Sequence, residues 1–259
     1  MDVEDWIVGR YNDVEDAQEK IERSGDVAAV LVEGMQGASG CIPGSREFLL
    51  QCQDSAGKVG AVFILDEVMT SRLAPGGLQE ILGLNPDITT LGKYLGGGIT
   101  FGAFGGKEEV MRVYDPRAPN SLAHSGTFNN NTLGMAAGFA GLNQVYTPDV
   151  CVQFNELGDR FRGMLLEISR ETKMTVTGRG TVMAVHFLRD GGKNINRVED
   201  MDEDVELRDL FWLEMMEEGF WITRRGMLAL VLGTPFEEIT RFVECAKAFL
   251  AKYKAFLRV

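Results

Sequence analysis

Two short apolar runs and a third, shorter strand-like segment, each separated from the next by a stretch of helical character, set the tightest limit on what this chain can fold into. Residues 27–32 form a nearly continuous apolar run, and residues 60–65 form a second. Runs of this kind are expected of strands buried on both faces. Residues 87–91 make a third, shorter strand, while residues 46–53 and 78–82 have the pattern of helices between them. Strands that alternate with helices predict βαβ units, hence an α/β fold around a mainly parallel sheet.

The pattern changes after Pro148. Phe154, Leu157, Phe161, Met164, Leu165 and Ile168 recur at helical spacing along one face, as an amphipathic helix requires. Short strands at 174–177 and 182–187 follow, then a polar loop over 190–203 and a helix over 205–217. Residues 220–223 and 227–232 come next. Thr234 is placed to cap a last helix, with Pro235 at its first position and Glu237 completing a capping box. Ile239, Phe242, Val243, Ala246, Phe249, Leu250 and Tyr253 mark the buried stripe of that helix. The expected organisation is a sheet domain over residues 1–147 and a smaller α+β domain over 148–259.

Charge removes several classes of function. With 26 basic and 38 acidic residues the formal net charge is −12, which repels nucleic-acid phosphates and anionic membrane surfaces. No apolar run approaches the length needed to cross a bilayer, and the first residues lack the basic and apolar regions of a signal peptide. Cys41, Cys52, Cys151 and Cys245 are scattered, and neither His124 nor His186 has a second ligand at metal-binding spacing. Reduced core thiols, no metal and a cytoplasmic setting are therefore expected.

Three places carry candidate chemistry. Asp66 follows the second apolar run, at the strand's carboxyl end, where open α/β sheets bind ligands. It could hold a cationic ring nitrogen, or only cap the next turn. Lys93 follows the third strand among Gly92, Gly96, Gly97 and Gly98. A lysine in such a place can form a Schiff base with a carbonyl compound, although a plain surface lysine fits too. Ser125, Gly126 and Thr127 precede a helical run over 135–142, and their hydroxyls and open N–H groups suit phosphate as well as a helix cap. His124 beside them is read as a loop hydrogen-bonding residue.

Taken together, these blocks resemble the class III aminotransferases, pyridoxal-phosphate (PLP) enzymes of fold type I. The resemblance runs through residues 30–33 and 63–70, Leu91-Gly92-Lys93, Gly96-Gly97-Gly98 and residues 125–128. Within the family it points to the branch of glutamate-1-semialdehyde 2,1-aminomutase and the β-phenylalanine aminotransferases. Residues 69–75 and 126–131 look closer to the latter. The resemblance implies a partial large domain with a mainly parallel sheet and a C-terminal small domain. It implies that Lys93 forms the Schiff base with PLP and then moves a proton, and that Asp66 pairs with the pyridinium nitrogen. Val68 would pack on the ring, and Gly126 and Thr127 would bind the phosphate of a neighbouring subunit's cofactor. Arg225, before Gly226, would take a substrate carboxylate through its planar fork.

The resemblance also has departures. Family members are longer at the amino end, where their own phosphate loop and ring-stacking aromatic lie. The retained strands would leave two open sheet edges, a mispairing hazard. Gly34 stands where the family usually has proline, and Val231 where the nearest branch has a small hydroxyl residue. The expectation is an aminotransferase acting between a carboxylate-bearing amino acid, β-amino acids among them, and a keto acid. It would work as a homodimer or beside a chain supplying further strands. The alternatives are an aminomutase and a non-catalytic fragment needing a partner chain.

Overall fold

A computed structural model describes residues 2–257, and the alternation of strands and helices is there with its boundaries adjusted. In chain order the elements begin with α1 (Val14–Arg23), β1 (Ala29–Glu33), β2 (Met35–Gln36), β3 (Ile42–Pro43) and α2 (Arg46–Val59). They continue with β4 (Val62–Asp66), α3 (Gly77–Leu82), β5 (Ile88–Gly92), β6 (Gly102–Gly106), α4 (Glu108–Met111) and α5 (Thr132–Ala140). The rest is α6 (Pro148–Ile168), β7 (Met174–Arg179), β8 (Val182–Phe187), α7 (Val205–Glu217), β9 (Met227–Ala229), α8 (Phe236–Lys252) and α9 (Lys254–Leu257), with short 3-10 turns between some of these elements. The chain divides into two compact units, one of residues 1–34 and 44–151, the other of residues 35–43 and 152–259.

In the larger unit the sheet order is β1-β4-β5-β6. The first three strands are parallel, and β6 returns antiparallel to β5. The glycine-rich β6 was not expected as a strand. Gly106 shows why glycine is needed there: a Cβ would come within 1.9 Å of Asp87 O. Local signals define α2 well. Ser45 caps it by accepting from Phe48 N–H at 3.1 Å, and Gly60 closes it at φ 74°. Phe48, Leu49, Cys52 and Ala56 of α2 pack with Ala17 and Ile21 of α1, Leu78 and Leu82 of α3, and Phe63 and Leu65 of β4.

That core covers one face of the sheet. Phe63 and Leu65 are buried, whereas Val62 and Ile64 are only half-buried and Leu31 of β1 is 56% exposed. The expectation of strands buried on both faces is thus corrected. Among the described residues helices pack on one side only, so an apolar run that reads as continuous is used at every second position. β1 and β6 end the sheet without further strands among the described residues.

The smaller unit is built around the antiparallel order β7-β8-β9, with the β2–β3 pair as a separate two-stranded ribbon. All six residues of β8 are buried. One face meets Phe211 of α7 and Phe242 and Phe249 of α8 in the main core. On the other, Thr177 Oγ1 donates to Gly40 O at 2.5 Å and His186 lies beneath the same carbonyl. The expected cap of α8 is absent. Thr234 donates its hydroxyl to Val231 O at 2.7 Å, and the helix starts at Phe236 after Pro235 with no side-chain cap. Bound to the preceding turn, that hydroxyl is not available to the helix. All four cysteines are free, and burial pushes the Cys52 thiol up to about 12.

Candidate active site

In the larger unit, two expected site residues stand at the carboxyl ends of adjacent parallel strands. Asp66 is the last residue of β4 and lies in register with Thr90 of β5, and Lys93 comes three residues after Thr90. Alternation along β4 turns Phe63, Leu65 and Glu67 toward the helices, and Asp66 toward the opposite face. One Asp66 oxygen accepts from Val68 N–H at 2.9 Å, an Asx turn that fixes the carboxylate. The register gives Thr90 the same face as Asp66, and its hydroxyl is buried with no protein partner.

Lys93 is exposed and has φ 56°, a conformation that strains a residue with a side chain. Its surroundings hold it there. Tyr94 donates its hydroxyl to Ser71 O at 3.2 Å, and Tyr146 donates to Arg72 O at 2.7 Å. The two rings meet edge-on with centroids 5.2 Å apart. Both loops of the site, the one after β4 and the one after β5, are thereby tied together. Burial raises the Tyr94 hydroxyl above its ordinary value, against the smaller opposing effect of its bond to Ser71.

The neighbouring glycines serve close backbone packing. A Cβ on Gly97 would lie 2.4 Å from Ala137 O, and one on Gly138 would lie 2.3 Å from Leu95 O. They let α5 press its backbone onto the turn that carries Lys93. Gly92 is the exception: Val68 Cγ1 sits 3.5 Å from where its Cβ would be, so the Val68 isopropyl group packs over the strand end just before Lys93.

Two residues at this site escaped the reading of the sequence. Thr90 is one. Glu67 is the other: it is fully buried and accepts from Thr70 Oγ1, Leu78 N–H and Gln79 N–H, each at 2.8 Å. These bonds hold the loop after Asp66 against the start of α3. Period-two alternation could have found it, because it puts Glu67 on the same side as Phe63 and Leu65, facing helix N–H groups.

Gly126 and Thr127 lie in an exposed loop before α5, where Asn131 caps the helix by accepting from Leu133 and Gly134 N–H at 3.1 Å. The N–H groups of Ser125, Gly126 and Thr127 donate to no protein acceptor. No hydrogen bond joins either Gly126 or Thr127 to Asp66 or Lys93. His124 departs from its expected role: its ring packs edge-on against Phe104 and Tyr114, with centroids 5.2 and 5.8 Å away. Among the described residues no cluster of side chains is arranged to hold a metal. No helix of the described residues is long and apolar enough to cross a membrane.

In the smaller unit, residues 223–226 form a tight turn, with Gly226 N–H donating to Thr223 O at 2.9 Å. Gly226 has φ 83°, and a Cβ on it would lie 2.2 Å from Val185 O. The two arginines of the turn differ. Arg224 binds Asp209 Oδ2 through Nε at 3.0 Å and Nη2 at 2.6 Å. Arg225 is exposed and makes no ion pair among the described residues; its Nη2 meets Met227 Sδ at 3.5 Å.

The donor set suits PLP by its own chemistry. Asp66 has an oxygen to spare, Thr90 an unpaired buried hydroxyl, Val68 an apolar surface, and Lys93 an amine without a carboxylate partner.

Comparison with known proteins follows the same line. The family model described as aminotransferase class III matches residues 4–240. An uncharacterised aminotransferase of Schizosaccharomyces pombe is 48% identical over all of this chain and 59% of its own length. The β-phenylalanine transaminase of Variovorax paradoxus is 45% identical over 98% of this chain and 58% of its own. The crystal structure of that species' β-phenylalanine aminotransferase superposes with a TM-score of 0.92 over 96% of this chain and 58% of the solved one. A glutamate-1-semialdehyde 2,1-aminomutase of Clostridium kluyveri is 31% identical over 95% of this chain and 60% of its own. The chain thus spans about three-fifths of the length of the curated relatives it matches.

Proposed function

We propose, since this chain belongs to the class III aminotransferase family, that it carries the lysine and ring-nitrogen partner of a PLP-dependent aminotransferase for carboxylate-bearing amino acids, β-amino acids among them. The observation that carries this reading is the placement of Asp66 and Lys93 at neighbouring parallel strand ends, with Val68 packed over Gly92 between them. The preference for a β-amino acid rests on the 45% identity to an enzyme named for β-phenylalanine.

When bound, PLP supplies an electron sink that stabilises negative charge next to the reacting nitrogen. Asp66 would hold the ring nitrogen in its protonated form, and the Val68 N–H keeps that carboxylate aimed. Lys93 Nζ would hold the cofactor's aldehyde carbon and afterwards, as a free amine, take up and return the proton at the substrate's amine-bearing carbon. The strained backbone at Lys93, backed by α5 and Tyr94, fixes the point from which that side chain leaves the main chain. Arg225 would pair with the substrate carboxylate.

Gly126 and Thr127 would serve the phosphate of a second copy's cofactor, and a homodimer is the assembly proposed. Phe128, Leu133, Met135 and Phe139, on and beside α5, are exposed large apolar residues consistent with a covered face.

Asp66→Asn tests the reading. PLP should still bind while transamination from β-phenylalanine to a keto acid falls at least about 100-fold, on the scale of removing one preorganised electrostatic partner. Turnover near that of the unaltered protein would overturn the assignment. Stoichiometric consumption of the keto acid separates an aminotransferase from an aminomutase, which needs none.

A further inference from the structure

Behind the arginine turn of the smaller unit runs a line of charged groups that the amino-group chemistry does not use. It starts in the core at His186, which is 2% exposed, with Nε2 2.9 Å from Thr177 Oγ1 and Nδ1 3.3 Å from Glu203 Oε1. Glu203 accepts in turn from Arg208 Nη1. Arg208 and Asp209 occupy the first turns of α7, with Arg208 Nη2 3.8 Å from Asp209 Oδ1. Asp209 Oδ2 then takes both N–H bonds from Arg224.

Helix α7 grips the turn at a second point. Trp212, one residue short of a helical turn beyond Asp209, donates its indole N–H to Ile222 O at 3.1 Å, and its ring centroid is 6.0 Å from the Arg224 guanidinium. Glu203, Arg208, Asp209 and Arg224 balance in formal charge. The next residue, Arg225, is the uncompensated cation of the turn.

We propose that Asp209 is a positioning residue for carboxylate recognition: by holding Arg224 against α7 it fixes the Thr223–Gly226 turn so that Arg225 alone is presented to the carboxylate of a substrate. This rests on the reading of Arg225 given above. Two adjacent arginines on a loose turn would share a carboxylate in several geometries. One anchored to a helix leaves its neighbour in a single geometry, and a pre-oriented planar fork loses less freedom on binding. The Asp209 carboxyl is held below the usual carboxylate range by the Arg224 guanidinium, against the cost of partial burial. The anchor therefore stays charged at neutral pH.

The test is a benzoate titration of the chain, followed through the arginine Nε–Hε resonances by nuclear magnetic resonance, with Arg224 and Arg225 assigned by Arg→Lys variants. In the unaltered protein the Arg225 signal should move and the Arg224 signal should stay. In Asp209→Asn both should move, and the affinity reported by Arg225 should weaken on the order of 5- to 10-fold. Asp209→Glu, which keeps the charge with a longer reach, should restore most of the selectivity, and it remains informative if the Asn variant folds poorly. In the active assembly Asp209→Asn should lower the kcat/KM ratio of β-phenylalanine to 1-phenylethylamine, its decarboxylated analogue, through KM rather than kcat. Unchanged Arg225 affinity and selectivity in Asp209→Asn would overturn the positioning role. An Arg225 signal that ignores benzoate in the unaltered protein would instead overturn the reading of Arg225 itself, and this proposal with it.

Discussion

The two larger sheets of this molecule invert the usual association between strand direction and burial. Parallel strands are ordinarily covered on both faces, and antiparallel ones often have one face in water. Among the described residues the parallel strands β1, β4 and β5 have helices on one face only, and Ile64 and Leu31 on the other are left partly or largely exposed. The antiparallel β8 is buried at every residue. The difference separates two jobs. The smaller unit is a closed core whose turns are held from behind. Among the described residues the larger unit leaves one sheet face uncovered by helices; Asp66 and Thr90 share that face, and exposed Lys93 follows directly at the end of β5.

The largest effect should come from the closed core. Phe211 is fully buried, with ring centroids 5.6 Å from Phe187 and 5.2 Å from Phe249. Phe211→Ala should cost about 3–5 kcal/mol in that unit. Ile64→Ala on the open face of β4 should cost about 1 kcal/mol or less. Hydrogen exchange resolved by segment reads each unit separately. Equal losses would break the comparison.

Arg225→Ala sharpens it, because it tests the carboxylate role proposed for the smaller unit apart from the chemistry proposed for the larger. The variant should raise KM for carboxylate substrates about 30- to 150-fold, the equivalent of about 2–3 kcal/mol for a charge-assisted pair, while simple amines are spared. Equal losses for both substrates, in steady-state assays of the active assembly, would indicate damage to the turn rather than lost recognition.

The smallest effect concerns the foot of the open sheet. Asp87 accepts from Lys107 Nζ and from Phe63 N–H, both at 2.7 Å. Partial burial would raise its carboxyl, but the Lys107 ammonium and the Phe63 N–H outweigh this and hold it below the usual range. A depressed carboxyl contributes stability above its unfolded pKa, near 4, and that contribution fades as pH falls through the lower folded value. Asp87→Asn should therefore lose about 0.5–1 kcal/mol at pH 7, with the gap to the unaltered protein narrowing below pH 4. Urea unfolding at pH 7 and pH 3 measures this, and a gap that widens in acid would reverse the sign.

The sequence reveals much of this, unevenly. Helix α7 falls at the expected residues because its apolar positions and the acidic cap Asp204 agree. Asp66 could be singled out because it directly follows an apolar run, and Lys93 because it follows the third strand among glycines. What remained hidden depended on contacts distant along the chain. The glycines at 97 and 138 are required by each other's neighbourhoods, some forty residues apart, so their purpose as a helix-packing surface could not be read locally. The strand β6 has glycine at three of its five positions and lacks the β-branched residues that mark strands. The one-sided burial of β4 escaped because an apolar residue on an open face looks the same in sequence as one in a core.

The pairing of Lys93 with PLP is the claim on which the rest depends, and reductive trapping tests it most directly. The chain is incubated with PLP, reduced with borohydride, digested and mapped by mass spectrometry. The expected result is a pyridoxyl group on the peptide containing Lys93, lost in Lys93→Ala. Labelling of Lys107 or Lys58 instead, or spread evenly over surface lysines, would contradict the assignment of the strand-end site.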